Sequence, residues 1–151
     1  MLSGDAGARQ WTVEVWEDSK TGRSPFASWF ENLDEYDQIV VTTVIEKIVK
    51  RLGIDVCDTE WGKNLGGSLY EVRIRRPLSS IVSWGEPDTF QVPDDLPPDE
   101  SVLLRLYCTF HGDRIVLFVS GYDKGKDPSS KREQREINTA RKHIRAWKAE
   151  R

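Results

Sequence analysis

Apolar and polar residues alternate most regularly in residues 66–76. One face of the predicted strand is apolar and carries Tyr70, Val72 and Ile74. The opposite face carries Glu71, Arg73 and Arg75. Because successive side chains of a strand point to opposite faces, this pattern predicts a sheet with a core behind one face and charged groups on the other.

The same two-residue period predicts further strands over residues 11–15, 102–110 and 114–120. In residues 102–110 the apolar positions fall on one face, and Arg105 and Tyr107 fall on the other. Residues 114–120 are apolar almost throughout, which is typical of a strand covered on both faces. A short hairpin connection at 111–113 joins the last two strands.

A helical period predicts three helices. Ser24 and Pro25 are typical of an N-cap and a first helical position. A second helix covers residues 40–52, and Gly53 suits its C-terminal cap. Residues 130–133 form a capping-box pattern at the start of the third helix. The apolar stripe of that helix is formed by Ile137, Ala140, Ile144 and Trp147.

The resulting order is β-α-α-β-β-β-α. It predicts an α+β fold: a small, mostly antiparallel sheet with a helical hairpin and a C-terminal helix packed on it. A length of 151 residues fits one domain with a real core. We expect residues 1–10 to be disordered and residues 11–151 to form the domain, with a loop at 54–67.

Residues 77–100 differ in composition from the rest of the chain. They hold five prolines, and residues 85–100 carry six acids and no Lys or Arg. We interpret this segment as an acidic insertion between two strands, partly packed through Trp84 and Phe90. Two roles stay open: screening of the arginines on the neighbouring strands, or passive packing.

Charge is distributed unevenly along the chain. The formal net charge is −3, yet residues 101–151 carry 12 Lys and Arg against 6 Asp and Glu. This asymmetry indicates an anionic partner or a basic site that needs control. Cys57 and Cys108 lack metal-like or redox-like spacing, so we expect neither a metal nor a cofactor. No apolar run is long enough to span a membrane, and we expect a cytoplasmic location.

Several stretches together resemble the RelE/ParE toxin superfamily, and most closely its phage Gp49-like, HigB-type branch. Residues 63–73 (KNLGGSLYEVR) are the most specific match, to the central strand of that branch. Further similar stretches are 24–30 (SPFASWF), 105–110 (RLYCTF), 122–128 (YDKGKDP) and 136–145 (EINTARKHIR). Asp123 stands where the family often has a lysine, and Asp127 replaces a threonine.

The resemblance implies the toxin of a type II toxin–antitoxin system. HigB-type members cut mRNA on the ribosome without a metal, whereas ParE-type members inhibit DNA gyrase. The implied partners are a cognate antitoxin of the helix-turn-helix type, which forms a hetero-oligomer with the toxin, together with the ribosome and mRNA. Two hypotheses stay open: a ribosome-dependent mRNA endonuclease, or a non-catalytic binding protein on the same fold.

Metal-free RNA cleavage needs cations aimed at the phosphate and a group that moves protons. Arg73 and Arg105 are candidates for neutralising the phosphate, and we expect both to point away from the core. Lys124 and Lys126 are candidates for holding the phosphate or for acting as the acid. Glu71 is either the base or the partner that orients Arg73.

Four further residues are candidates for RNA binding. Tyr107 and Tyr122 offer rings that stack on bases, and Arg75 and Arg76 offer charge. Each has a structural alternative; Tyr107, for example, is also placed to pack beneath the last helix. His111, in the hairpin turn, is a weaker catalytic candidate.

Overall fold

A computed structural model describes residues 9–85 and 95–151. Within these residues five strands form one sheet in the order β1-β5-β4-β3-β2. The strands are β1 (Thr12–Val15), β2 (Gly62–Gly66), β3 (Leu69–Ile74), β4 (Leu104–His111) and β5 (Ile115–Asp123). Among the described strands only β1 pairs in parallel, with β5, and the other three pairings are antiparallel. The predicted α+β class and mostly antiparallel sheet are confirmed.

The described helices are α1 (Pro25–Glu31), α2 (Glu35–Val44), α3 (Leu78–Val82) and α4 (Ser130–Ala149). Ser24 caps α1 as predicted: its hydroxyl accepts from the Ala27 amide. After α2 the chain continues through a π-helical turn, Ile45–Val49, and a short helical turn, Lys50–Leu52.

Gly53 ends this run with a φ of +54°, as the sequence predicts for a C-terminal cap. A Cβ at Gly53 would lie 1.9 Å from the Trp11 ring. The steric clash and the positive φ both disfavour any residue other than glycine at this position.

Two hydrophobic cores lie on opposite faces of the sheet. The first joins the sheet to α1, α2 and α3 and includes Phe26, Val40, Ile48, Val72, Ile81 and Leu106. The second joins it to α4 and includes Leu69, Tyr107, Leu117, Val119, Ala140 and Ile144. Helices therefore cover both faces, with the helical hairpin on one side and the C-terminal helix on the other.

Strand β5 contributes to both cores, as its apolar run predicts. Val116 and Phe118 belong to the first core, and Leu117 and Val119 belong to the second. On the first face, Gly121 lets α1 approach closely, because a Cβ there would lie 2.2 Å from the Trp29 ring. This strand therefore fixes the distance between the sheet and α1.

Three elements differ from the sequence prediction. A 3-10 helix, Gly53–Asp58, and strand β2 occupy the predicted loop 54–67, and α3 lies inside the predicted insertion 77–100. Leu78 and Ile81 of α3 are fully buried, so this part of the insertion is core. The predicted capping box does not form: Ser129, not Ser130, caps α4 by accepting from the Arg132 amide, and Glu133 pairs with Lys124 instead.

Other predictions fall outside the described residues. These are the disorder of residues 1–8 and the packing of Phe90. At the edge of the described chain, the Arg9 side chain donates a hydrogen bond to Asp113. The described residues include no helix that combines the length and apolar character needed to cross a bilayer.

Candidate functional site at the junction of the sheet and α4

A group of charged side chains lies where α4 begins to cover the sheet. Arg73 on β3 pairs in register with Arg105 on β4, and Arg105 pairs with Tyr122 on β5. Lys124 directly follows β5, and Glu133 lies in the first turns of α4. We call Glu71, Arg73, Arg105, Lys124 and Glu133 the junction cluster.

The junction cluster is held by two carboxylates. Glu71 Oε1 accepts from Arg73 Nε at 2.7 Å and lies 3.4 Å from Arg105 Nε. Glu133 lies with both carboxylate oxygens 3.2 Å from Lys124 Nζ, and its Oε2 is 3.9 Å from Arg105 Nε. Arg105 therefore lies between the two carboxylates and links β3 to α4.

Burial differs sharply across the junction cluster. The side chains of Arg105 and Glu71 are 4% and 2% exposed, whereas those of Arg73, Lys124 and Glu133 are 23–27% exposed. Burial lowers the pKa of the Arg105 guanidinium, and the nearby Glu71 carboxylate opposes that shift. The three partly exposed groups form the solvent-accessible rim of the cluster.

Two buried polar atoms in this region make no hydrogen bond with a described residue: the hydroxyl of Tyr107, and Nε of Arg105, which has only its ion-pair contacts with Glu71 and Glu133. Burial raises the pKa of Tyr107, with Glu71 and Glu133 adding to the shift, so its hydroxyl stays protonated and is a donor. Unsatisfied buried donors cost free energy, and they are also what an anionic ligand would satisfy.

A second layer of contacts fixes the loop between β5 and α4. Arg132 Nε donates to Glu136 at 2.9 Å, and its guanidinium lies 5.6 Å from the centre of the Tyr122 ring. Tyr122 donates its hydroxyl hydrogen to the carbonyl oxygen of Asp127. The Asp127 carboxylate accepts from the Ser129 amide at 3.3 Å, which lowers its pKa. Asp127 thus shapes the loop that carries Lys124.

The structure brings four of the predicted catalytic residues together: Glu71, Arg73, Arg105 and Lys124. The fifth, Lys126, is exposed and lies close enough to Asp37 to affect the pKa of that carboxyl. The expectation that both arginines point away from the core needs correction. Arg105 is on the expected face, but α4 buries it because Ala140 and Ile144 close over that face of the sheet.

The predicted RNA-binding residues are not gathered at this site. Tyr107 and Tyr122 are 0% and 2% exposed, so neither presents a ring face to a base, and their predicted stacking role is corrected. Arg75 and Arg76 are exposed but turn to Glu60: Arg76 Nε lies 2.7 Å from a Glu60 carboxylate oxygen. These two arginines lie beyond the end of β3.

Glu133 is the member of the junction cluster that the sequence interpretation missed. Assigning it to a capping box gave its carboxylate a local role, whereas it pairs with Lys124 and Arg105. Its spacing carried the signal. Glu133 precedes Ile137 by one helical turn and Ala140 by two, which places it on the face that packs against the sheet.

The described acids of residues 77–100 lie away from the junction cluster. Asp99 accepts from both the amide and the hydroxyl of Ser79 in α3, at 3.1 and 2.5 Å. The hydroxyl of Tyr36 donates to the carbonyl oxygen of Glu100. Because α3 packs in the first core, these contacts lie on the other face of the sheet. Three of the six acids, Glu86, Asp88 and Asp94, lie outside the described residues.

Other candidate groups lie apart from the junction cluster. His111 Nε2 is 3.7 Å from a Glu14 carboxylate oxygen, and its ring centroid is 4.8 Å from that of Trp147. Within the described part of the chain, no group of three or more His, Cys, Asp or Glu side chains has a geometry that could hold a metal ion.

Comparison of the chain with protein-family models, with curated proteins and with solved structures found no match.

Proposed function

We propose that this protein is the toxin of a type II toxin–antitoxin pair and that it cleaves mRNA on the ribosome. The observation that carries the proposal is the convergence of Arg73, Arg105 and Lys124 on one end of one sheet face. The partly exposed Arg73 and Lys124 suit the charge that develops on a phosphate during cleavage, and the buried Arg105 holds the carboxylates beside them. The resemblance of residues 63–73 to a toxin strand supplies the reaction class.

In the proposed reaction, the 2′-oxygen of the ribose attacks the adjacent phosphorus. Its proton passes to Glu133, whose carboxylate is 23% exposed. The bond between phosphorus and the 5′-oxygen breaks, and Lys124 protonates that oxygen. The products are a 2′,3′-cyclic phosphate and a free 5′-hydroxyl. Positioned acid and base groups of this kind contribute about 10²- to 10⁴-fold each.

The remaining members of the junction cluster have supporting roles in this proposal. Arg73, 27% exposed, contacts the phosphate from the rim. Glu71 is buried and bonded to Arg73, which favours the orienting role over the role of base. Arg105 is a positioning residue, because its guanidinium lies within 4 Å of both carboxylates.

One observation favours the alternative, a non-catalytic binding protein on this fold. Each cation of the junction cluster already lies within 4 Å of Glu71 or Glu133. An internally neutralised cluster has less charge to offer a transition state than a bare one. In this alternative the partner is gyrase or a regulatory target, and no RNA is cut.

Growth and RNA cleavage in cells that express the chain alone test the proposal. We expect growth arrest and cuts in translated mRNAs mapped by primer extension. Arg73→Ala should reduce cleavage by roughly 10²- to 10³-fold, the usual cost of losing one charge contact to a transition state. Arg23→Ala is the matched control, because Arg23 is exposed and forms no hydrogen bond or ion pair with the described residues of the junction cluster; it precedes α1, which packs in the first core.

Two results would contradict the nuclease. Arrest with intact transcripts and altered DNA supercoiling would assign the chain to the gyrase-directed class. Equal cleavage by wild type and the Arg73→Ala variant would remove the junction cluster from the reaction.

A further inference from the structure

The outer face of α4 carries a line of cations that the junction cluster does not use. We call the residues of this line the outer stripe, and all are exposed: Lys131, Arg135, Asn138, Lys142 and Arg145. Their spacings of 4, 3, 4 and 3 residues keep them on one side of a helix. At 1.5 Å per residue the outer stripe is about 21 Å long.

Charge is segregated across this helix. Glu133 and Glu136 lie on the inner side of α4, where they pair with Lys124 and Arg132. The outer stripe has no acid. Its four cations form no hydrogen bond or ion pair with any described residue, although Arg135 lowers the pKa of Asp127 through its field.

This segregation is unfavourable for the isolated helix. Like charges one turn apart, such as Lys131 and Arg135, repel each other and destabilise an isolated helix. A solvated helix face usually relieves that repulsion by mixing acids and bases. A line of unpaired cations on a protein with a net charge of −3 is instead typical of a local binding surface for an anionic polymer.

We propose that the outer stripe binds the phosphate backbone of double-helical RNA. The outer stripe contains no aromatic residue, so it lacks the stacking platforms typical of single-strand binding. Its length and stiffness suit a row of phosphates on a rigid duplex, which is recognised mainly through shape and backbone. The choice of RNA over DNA rests on the proposed function, whereas the backbone contact rests on the charges alone.

The outer stripe is distinct from the junction cluster. Glu133, the member of the cluster on α4, lies on the inner side of the helix, the side that also carries Ala140 and Ile144 of the second core. Substitution of the outer stripe therefore leaves the residues of the proposed reaction untouched, and binding and cleavage can be measured separately.

The test measures binding of a fluorescein-labelled RNA duplex by anisotropy, from about 50 to 200 mM KCl, where backbone contacts show their salt dependence. The variant is Arg135→Gln with Lys142→Gln. The matched control is Arg23→Gln with Lys20→Gln, which removes the same charge from exposed positions elsewhere. We expect the variant to bind at least about tenfold more weakly, and its slope of log K against log salt to fall by roughly 1.8 for two lost contacts. The control should bind like wild type.

Four outcomes would overturn the proposal. The first is equal weakening of RNA-duplex binding by the variant and the control, and the second is tighter binding of wild type to a single strand than to the duplex. The third is a loss of binding by the variant to a DNA duplex of the same sequence that equals its loss for RNA. The fourth is preferential binding of polyglutamate, which would identify an acidic protein partner. Duplex binding that depends on the outer stripe, without cleavage in cells, would support this inference and contradict the nuclease. Cleavage with no effect of the variant on binding would do the reverse.

Discussion

At the scale of single residues, the buried guanidinium of Arg105 carries the largest expected energetic consequence. It lies between Glu71 and Glu133 with a side chain 4% exposed. Breaking a buried charge pair by removing one partner typically costs about 3–5 kcal/mol when the other charge is left uncompensated. In the Arg105→Ala variant Glu71 keeps Arg73 and Glu133 keeps Lys124, so we expect a smaller loss of about 2–3 kcal/mol in the free energy of unfolding. Arg73→Ala should lose about 1–2 kcal/mol, since Arg105 remains beside Glu71.

Urea unfolding of the two variants measures this difference. Glu71→Gln added to Arg105→Ala should deepen the loss, because it also removes the charge with which Arg73 pairs at 2.7 Å. Equal stabilities for wild type and Arg105→Ala would show that the guanidinium contributes nothing to the fold and is free for a ligand.

The raised pKa of a second residue, Asp37, predicts that the stability of the protein depends on pH. Burial and the neighbouring Asp34, Asp123 and Glu100 raise its pKa to about 6, and Lys126 opposes the shift. A carboxyl group whose pKa is raised on folding stabilises the protein at low pH, and that contribution is lost as pH rises through the folded-state pKa. The window runs from about pH 4, near the pKa of an unfolded Asp, to about pH 6.

The comparison of wild type with Asp37→Asn isolates this effect. We expect the stability of wild type relative to the variant to fall by about 1 kcal/mol between pH 4 and pH 6, a small part of the full linkage because the group is partly exposed. Thermal unfolding at several pH values measures it. A difference between the two proteins that does not change with pH would place Asp37 in an ordinary solvated environment.

At the scale of secondary-structure elements, the apolar stripe of α4 contains residues that differ in burial, although the sequence pattern does not distinguish them. Ala140 and Ile144 are 0% and 2% exposed, whereas Trp147 is partly exposed and contacts His111 and Arg151 at the edge. Ile144→Ala should therefore cost about 2–5 kcal/mol, as in other buried large-to-small changes. Trp147→Ala should cost less, about 1–2 kcal/mol, because part of its ring stays in water.

Denaturant unfolding of both variants checks this ranking. The opposite order would mean that the edge formed by Trp147 and His111, and not the middle of α4, anchors the helix to the sheet.

The same scale shows what periodicity detects and what it misses. The strands β3, β4 and β5 have strong apolar alternation or long apolar runs, so their sequences alone located them. Strand β2, with the sequence GKNLG, has neither feature. Arg141 donates to the carbonyl oxygens of Leu65 and Gly66, and Lys148 donates to the Ser68 hydroxyl, so contacts from α4 help hold this hairpin. No local pattern reports such a long-range interaction.

The sequence pattern also fails to predict helix α3, for a related reason. It has five residues and lies in a segment dominated by prolines and acids, which favoured a loop. The helix is stabilised by burial of Leu78 and Ile81 in the first core. The Tyr36 hydroxyl also accepts a hydrogen bond from the Leu78 amide at 3.0 Å. Glu71, Arg73 and Arg105 were predictable because they lie on strand patterns, and Lys124 was predicted from the loop that resembles the toxin family. Glu133 was not, because a capping interpretation already accounted for it.

At the scale of the whole molecule, one sheet separates two cores that share its central strand. Residues 104–109 of β4 are buried throughout, and the side chains of β4 and β5 enter both cores. Loss of either core removes the covering from one face of the same strands. We therefore expect the described part of the chain to unfold as a single cooperative unit, despite having helices on opposite sides.

Two matched substitutions test this cooperativity, one in each core: Ile48→Ala and Ile144→Ala. Each removes the same atoms from a buried site and should cost about 2–5 kcal/mol. The amides of Leu106 and Tyr107 should exchange with deuterium only through global unfolding. Their exchange free energies should therefore fall in both variants by the same amount that denaturant unfolding reports for each. Val15→Ala, on the exposed edge strand, should leave them unchanged. If Ile144→Ala speeds exchange in α4 but not in β4, the C-terminal helix opens independently, and the junction cluster can expose Arg105 without unfolding the sheet.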